Sequence, residues 1–342
     1  MFKEFDQLKQ NPKANEGKIL KLLIEAVEQV QQNDFKFSNT LLHEYGRGIE
    51  VKMLLQSYPD LFWGFWDYLS QYGSGYRNMG DSEIQNTLNK DGVIVLKNFI
   101  DAETVKSLRN ELEKQTALAT EHITDEIKQN YEHHRYYVGP EVDGKSINIG
   151  SPYDARVQIS YRKEELAPDC IKALFNHERL NHIVGDYTGG LTKPQDVMME
   201  KISPPLMFRD NDWWHIDNLA DHFKAQLILN DMDINDGPFK FIKGTHKNFS
   251  AKQKARYHKM YALQGIKTQE SNHFEDEFTT PELCTEFVAN AGDIALFDPK
   301  LHHSWRYPYD NGERNNIFIY YIKIPTLKNK ILGRIDQYLN FK

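Results

Sequence analysis

Histidine, aspartate and arginine residues at three places along the chain have the types and spacing of a metal centre beside an anion site. His215 and Asp217 are two residues apart, and residues i and i+2 of a β-strand point to the same face of a sheet. One imidazole nitrogen and one carboxylate oxygen can therefore bind a single metal ion. Two histidines and one carboxylate suit non-haem Fe(II) and leave coordination positions open for other ligands.

The third ligand is offered by the segment 292–303, which ends in the pair His302 and His303. Adjacent residues of a strand face opposite sides of the sheet, so only one of the two can reach the same metal. The hydrophobic periodicity of the segment does not decide between them. Eleven residues after His303, Arg314 precedes the apolar strand 316–324, and an arginine fork at such a place suits bidentate binding of a carboxylate.

At these residues the chain resembles the phytanoyl-CoA dioxygenase family of Fe(II)- and 2-oxoglutarate-dependent oxygenases, over roughly residues 83–325. The matching segments are the predicted opening strand 91–99, the metal segment 214–217, the hairpin segment 235–247, the pair Gly292-Asp293 with the distal His303, and Arg314. The resemblance implies that the chain is an enzyme of this class.

The resemblance also implies roles for particular residues. His215, Asp217 and His303 would hold the iron and form the catalytic centre, because the family's spacing from Gly292 selects His303 over His302. The co-substrate 2-oxoglutarate would chelate the iron, Arg314 would hold its far carboxylate, and O2 would be the second co-substrate. Related halogenases have a small residue in place of Asp217, so the carboxylate here favours hydroxylation, desaturation or ring closure.

Further contacts with the co-substrate follow from the same resemblance. Met199 and Lys201 share one face of the predicted strand 197–202, and that face is expected to point toward 2-oxoglutarate. Gln226 stands where the family frequently has an aromatic residue near the co-substrate. The chain departs from the family at Trp305, which stands where a serine often contacts the co-substrate carboxylate.

Arg156, Gln158 and Arg306 are the candidates for binding the primary substrate. Arg156 and Gln158 belong to a polar excursion before the barrel strands, a region that often lines the substrate site in this fold class, although ordinary loop polarity gives the same pattern. Arg306 follows His303 by three residues and is either an anion-binding group or a solvated charge at the end of a strand. We expect the substrate to be a small polar metabolite.

Composition narrows the class of protein. The chain has 342 residues, of which 40% are hydrophobic, enough for one large domain or two small ones. Its formal net charge of −7 argues against a nucleic-acid partner. The cysteines, Cys170 and Cys284, are far apart and fit a reducing compartment. No signal-peptide pattern and no run of ~20 apolar residues is present, so we expect a cytoplasmic protein without a membrane partner.

We predict an α+β fold, with a double-stranded β-helix (jelly-roll) core flanked by helices. About eight short strands between residues 196 and 324 suit that core. Residues 1–82 are predicted to form a helical N-terminal extension, because apolar positions in 17–33 recur at helical spacing, and residues 83–342 to form the oxygenase domain. The extension either packs on the core, forms a homodimer interface, or contributes aromatic side chains to the substrate pocket.

Two other classes of function use the same side chains. A zinc-dependent hydrolase can use the same His/Asp/His ligands, since such sets also bind Zn(II), but it does not need Arg314. A non-catalytic member of the family would bind metal for stability or sensing.

Overall fold

The computed structural model describes residues 83–121, 136–138, 145–150, 156–188, 192–204, 214–215, 223–246, 273–274, 283–309 and 311–321, together with the single helical positions 7, 18 and 21. The rest of the predicted extension 1–82 lies outside the described residues. The domain boundary after residue 82 and the homodimer interface therefore stay predictions.

Thirteen strands and four helices make up the described part of the chain. In chain order the strands are β1 (Val93–Leu96), β2 (Tyr136–Val138), β3 (Lys145–Gly150), β4 (Arg156–Tyr161), β5 (Asp196–Ile202), β6 (Trp214–His215), β7 (Phe223–Ile228), β8 (Phe239–Ile242), β9 (His273–Phe274), β10 (Cys284–Glu286), β11 (Ile294–Phe297), β12 (His303–Trp305) and β13 (Arg314–Tyr321). The helices are α1 (Glu83–Asp91), α2 (Ala102–Glu121), α3 (Asp169–Phe175) and α4 (Glu178–Thr188). None of these helices is long and apolar enough to cross a membrane.

The strands form two antiparallel sheets. The larger sheet has the order β1-β11-β7-β13-β5-β4-β3-β2, and the smaller has the order β10-β8-β12-β6-β9. From β5 onward the chain passes back and forth between them, with β5, β7, β11 and β13 in the larger sheet and β6, β8, β10 and β12 in the smaller. The predicted combination of helices with antiparallel sheet is confirmed, and this strand order is that of a jelly roll.

Both faces of the larger sheet are covered. On the outer face, alternate residues of the central strands pack against α2, α3 and α4 in one apolar cluster that includes Val197, Met199, Leu227, Ile317 and Leu108. On the inner face, a second cluster lies between the two sheets and includes Ile228, Phe239, Phe241, Phe297 and Leu301. Because β5, β7 and β13 are buried on both faces, their sequences do not alternate cleanly between apolar and polar residues.

The pair Gly292-Asp293 fastens β11 to the end of β1. Gly292 has φ +92°, and a Cβ there would lie 2.5 Å from the carbonyl oxygen of Ile100, so the position needs glycine. The buried Asp293 carboxylate accepts hydrogen bonds from Lys97 Nζ at 2.7 Å, Asn98 N at 2.8 Å and Asn290 N at 2.9 Å. Burial alone would raise the pKa of Asp293, but these hydrogen bonds outweigh it and hold the pKa below its ordinary value.

Candidate metal and co-substrate site

The ladder between β6 and β12 brings two predicted metal ligands together. His303 is the direct cross-strand partner of His215, and the Cβ atoms of such partners lie about 4.5–5.5 Å apart on one face of the sheet. The side chain of His215 and all of Asp217 lie outside the described residues. Accordingly, the side chains that are described contain no cluster of three metal-binding groups, and the full ligand set stays a prediction.

The structure places His303, and not His302, on a cavity between the sheets. The Nδ1 atom of His303 lies 2.7 Å from the carbonyl oxygen of Leu301. A carbonyl oxygen only accepts, so Nδ1 is the donor in this contact; in the neutral imidazole this tautomer leaves the lone pair on Nε2, the arrangement typical of metal-binding histidines. The rings of Phe239 and Phe297 lie 5.2 Å and 5.7 Å from the imidazole and hold it in place.

His302 is also buried, but it is not among the residues that line the cavity. Its backbone nitrogen donates to the hydroxyl of Thr245 at 2.9 Å. Burial, reinforced by the neighbouring His303, lowers the pKa of His302 to about 4, so its imidazole is neutral at physiological pH. The ambiguity between the two adjacent histidines is therefore one of side-chain direction, and only His303 faces the cavity.

The cavity has a volume of about 140 Å³ and is lined by residues of both sheets. Its polar lining consists of Arg156, Gln158, Glu200, Lys224, Gln226, His303 and Arg314. Its larger apolar and aromatic side chains are Met198, Phe239, Phe297, Trp305, Phe318 and Tyr320. The structure thus brings together five of the residues proposed as ligands from distant places in the sequence, namely Arg156, Gln158, Gln226, His303 and Arg314.

Met199 and Lys201, which were predicted to face the co-substrate, are not among the residues that line the cavity. The cavity face of β5 carries Met198 and Glu200, whereas Met199 packs under the helices. Lys201 Nζ forms ion pairs with Glu113 at 2.8 Å and Glu313 at 3.1 Å. Adjacent residues of a strand point to opposite faces. An error of one residue in the predicted register therefore assigns every side chain of β5 to the wrong face.

Arg306, which the sequence offered either as a substrate ligand or as a solvated charge, is also not among the residues that line the cavity. Its neighbour Trp305 is the one that faces the cavity, while the carbonyl oxygen of Arg306 packs against Gly237.

A tight turn positions the start of β13. Asp233 caps the 3-10 turn Ile234–Asp236, and Gly237 ends it with φ +67°. A Cβ on Gly237 would collide with the carbonyl of Arg306. The backbone nitrogen of Glu313 donates to Asp236 Oδ1 at 3.0 Å, and Arg314 Nη1 donates to the carbonyl oxygen of Gly237. The turn predicted from Asn235–Gly237 therefore holds Arg314 in place.

Arg314 is fully buried, with 2% of its surface exposed. Its Nη2 atom lies 4.0 Å from Glu200 Oε1, and its guanidinium lies 5.5 Å from the centre of the Trp305 ring. Its Nε has no hydrogen-bond partner among the described residues. Burial lowers the pKa of Arg314 to about 10, with nearby Arg156 acting in the same direction and Glu200 opposing. At neutral pH the guanidinium remains charged and has a donor to offer to an anion.

Glu200 is a central residue of the site that sequence reasoning missed. Its carboxylate, 2% exposed, accepts hydrogen bonds from Gln158 Nε2 at 2.6 Å and Asn316 Nδ2 at 3.3 Å. Arg156 Nη1 lies 3.8 Å from Glu200 Oε2. An acidic residue inside a short, largely apolar strand was the available signal, because such a residue is rarely buried without a partner. Its direction depends on the strand register, which the sequence did not provide.

Gln226 is buried at 1% exposure, yet neither Nε2 nor Oε1 has a hydrogen-bond partner in the part of the chain that the structure describes. Leaving a buried polar group unsatisfied costs about 1–3 kcal/mol. A leucine or methionine would avoid this cost, so the amide is best explained by a ligand that pairs with it.

One cavity of the jelly roll is lined by His303, by the buried Arg314 and by the Gln226 amide, which has no hydrogen-bond partner among the described residues. This combination suits a protein that binds a metal and a small anionic ligand. The family model for phytanoyl-CoA dioxygenase (PhyH) matches residues 88–304. The chain therefore belongs to the phytanoyl-CoA dioxygenase family and is an enzyme of the 2-oxoglutarate-dependent non-haem iron class. The predicted use of iron, 2-oxoglutarate and O2 is confirmed by this membership.

Solved structures that match this chain include AviO1 from Streptomyces viridochromogenes Tue57, with 16% identity and a TM-score of 0.46 over 70% of this chain and 94% of that chain. HygX from Streptomyces hygroscopicus, with nickel and 2-oxoglutarate bound, has 17% identity and a TM-score of 0.46 over 71% of this chain and 87% of that chain. The α-ketoglutarate-dependent carbocyclase SnoK from nogalamycin biosynthesis has 12% identity and a TM-score of 0.46 over 72% and 85%. Comparison with curated protein sequences gives no match.

Proposed function

We propose that the chain is an Fe(II)- and 2-oxoglutarate-dependent dioxygenase that hydroxylates a small polar metabolite, with desaturation or ring closure as the other reactions open to the same site. The observation that carries the proposal is that His303, whose Nδ1 contacts the carbonyl oxygen of Leu301, and the buried Arg314 line one cavity. A metal ligand and a fixed cation on one cavity suit a co-substrate that chelates the metal and carries a second carboxylate.

The residues present fit the iron and the co-substrate. His215, Asp217 and His303 would hold the iron, supported by the register that pairs the two histidines. Arg314 would bind the far carboxylate of 2-oxoglutarate, supported by its Nε donor, which has no described partner. When bound, these groups supply the oxidation, which consumes O2 and releases succinate and CO2.

The two ends of the cavity differ in chemistry. Arg314 and Tyr320 are six positions apart on β13, which is about 20 Å at the rise of a strand. Lys224 is the direct partner of Tyr320, and its Nζ lies 4.7 Å from that ring. A five-carbon co-substrate anchored at Arg314 does not reach this end. We therefore assign the Lys224–Tyr320 end to the primary substrate, whose polar character follows from this lining.

The test uses the full chain loaded with Fe(II) without oxygen. Addition of 2-oxoglutarate is expected to produce a visible charge-transfer band. Arg314→Met should keep the iron but weaken 2-oxoglutarate binding about 10–100-fold, because charge-assisted hydrogen bonds are lost. Arg162→Met, at an exposed arginine paired with Asp196, is the control and should bind as the wild type does.

Other outcomes would contradict the proposal. A protein that shows no band and retains zinc tightly would be a hydrolase of the alternative class. A band without succinate release stimulated by any compound of a broad metabolite panel would indicate a non-catalytic member of the family.

A further inference from the structure

We propose that Gln226 binds the primary substrate through its Oε1 atom, which accepts a hydrogen bond from a neutral donor on the substrate, a hydroxyl group or an amide N–H. The inference deepens the proposed function and rests on it, because the chemistry of 2-oxoglutarate decides which atom of the amide is left for the substrate. The sequence had placed Gln226 near the co-substrate only through the family resemblance.

The Gln226 side chain lines the cavity and has apolar neighbours in its own sheet. It is 1% exposed, and neither Oε1 nor Nε2 has a hydrogen-bond partner among the described residues. Its direct partners on the adjacent strands are Ala295 on β11 and Phe318 on β13, and neither of these side chains can donate or accept a hydrogen bond. Direct partners point to the same face of a sheet, so the amide is left to a ligand in the cavity.

The Gln226 amide has one acceptor atom and one donor atom, and 2-oxoglutarate can pair with only one of them. At neutral pH both carboxylates of 2-oxoglutarate are ionised, and carboxylate and keto oxygens only accept hydrogen bonds. The co-substrate can therefore accept from Nε2 but cannot donate to Oε1. A buried acceptor that loses contact with water needs a donor. We therefore assign that donor to the primary substrate.

The level of Gln226 in the sheet is close to the end of the cavity assigned to the primary substrate. Its partner Phe318 is four positions beyond Arg314 on β13, which is about 13 Å at the rise of a strand. Lys224 precedes Gln226 by only two positions and also lines the cavity. The ammonium group of Lys224 repels another ammonium group, which favours a neutral donor at Gln226.

Gln226 also lies close to the level of the metal ligand. The ring of His303 lies 5.7 Å from that of Phe297, and Phe297 is the direct partner of Lys224. His303 therefore packs against a level of the sheet that is two residues, or about 7 Å, from Gln226. A substrate group held by the amide is thereby held near the metal ligand, which suits a residue that orients the substrate.

The experiment measures the preference of the site for a donor with two probes of the same size. The full chain, loaded with Fe(II) and 2-oxoglutarate without oxygen, is titrated with propanamide and with butanone, and the shift of its thermal unfolding with probe concentration gives each Kd. Both probes have a carbonyl acceptor and the same number of heavy atoms, but only propanamide carries N–H donors. The wild type should bind propanamide about tenfold more tightly than butanone.

Two variants identify the atom that carries the preference. Gln226→Met has a similar size but no strong acceptor, so the preference should fall to about twofold or less. Gln226→Glu keeps an acceptor oxygen in either protonation state, should retain the preference, and provides the test if the methionine variant does not fold. The matched control is Gln195→Met, at a glutamine that is not among the cavity residues and donates to the carbonyl oxygen of Lys193. It should behave as the wild type does.

Several results would overturn the assignment of Gln226. A wild type that binds both probes equally, or neither, would show that bound water alone pairs with Oε1. A preference that persists in Gln226→Met would place the donor site elsewhere. A weakened 2-oxoglutarate Kd in Gln226→Met with an unchanged probe preference would assign the amide to the co-substrate alone. A wild-type protein with no charge-transfer band for 2-oxoglutarate would instead overturn the proposed function.

Discussion

His303 and His215 are direct backbone partners in the ladder between β12 and β6, while His302, one residue away, is buried beside Thr245. This relationship separates two histidines that are adjacent in the sequence. His303→Leu should abolish Fe(II) binding because the imidazole Nε2 is lost, as measured by metal content and by the charge-transfer band. His302→Leu, a matched change, should keep iron binding and reduce only stability. Iron binding that survives in His303→Leu and disappears in His302→Leu would show that the register is wrong.

In the ligand-free protein, the buried amide of Gln226 should lower the free energy of unfolding compared with an apolar side chain at the same position. Gln226→Leu is expected to raise the free energy of unfolding by about 1–2 kcal/mol, because it removes two buried polar atoms that have no hydrogen-bond partner among the described residues. Turnover of 2-oxoglutarate should fall in the same variant. The matched control is Gln158→Leu, which should destabilise the protein because it breaks the 2.6 Å hydrogen bond to Glu200. Urea unfolding of both variants gives the comparison, and a destabilised Gln226→Leu would refute the explanation offered for this amide.

Lys201 should have no part in co-substrate binding. Its ammonium group pairs with Glu113 and Glu313, and although burial alone would lower its pKa, these partners raise the pKa above its ordinary value. Lys201→Met is therefore expected to leave the Kd of 2-oxoglutarate within about twofold of the wild type. The loss of stability should be small, about 1 kcal/mol or less, because partly exposed ion pairs are weak. A large rise in Kd would restore the face of β5 that the sequence predicted.

Asp293 should stabilise the fold in a pH-dependent way. Its pKa in the folded protein is below the unfolded value of about 3.9, so its contribution is fully present above that value and is lost as the pH falls through the folded pKa. Asp293→Asn should cost about 1.5–3 kcal/mol at pH 7, since charged hydrogen bonds to Lys97 and two backbone nitrogens are weakened.

The difference between wild type and Asp293→Asn should shrink as the pH falls below about 4, because the unfolded chain then binds a proton at this carboxylate before the folded protein does. Urea unfolding at several pH values measures it. Asp169→Asn, at a fully exposed residue, serves as the control and should change stability little at any pH. A difference that stays constant down to pH 3 would show that the carboxylate charge contributes nothing.

Local signals predicted much of the fold. The residues Asn235-Asp236-Gly237-Pro238 are a strong turn signal, and the structure has a turn there, which Asp233 caps and Gly237 ends with φ +67°. The segment 223–230 is predicted as a strand with Lys224, Gln226 and Ile228 on its more polar face, and Lys224 and Gln226 both line the cavity. These features depend on neighbours in sequence, where residue chemistry and backbone preference act directly.

The sequence by itself determined the residue types of the site: a His-x-Asp pair, a distal histidine and an arginine eleven positions later, which indicate a metal and a carboxylate ligand. Only the tertiary structure decided which face of β5 meets the cavity and that Glu200 lies between Arg156 and Arg314. The physical reason is that β5 is covered by helices on one face and by the second sheet on the other, so the side chains on both faces are buried. Its sequence consequently carries no alternation that could fix the direction of its side chains.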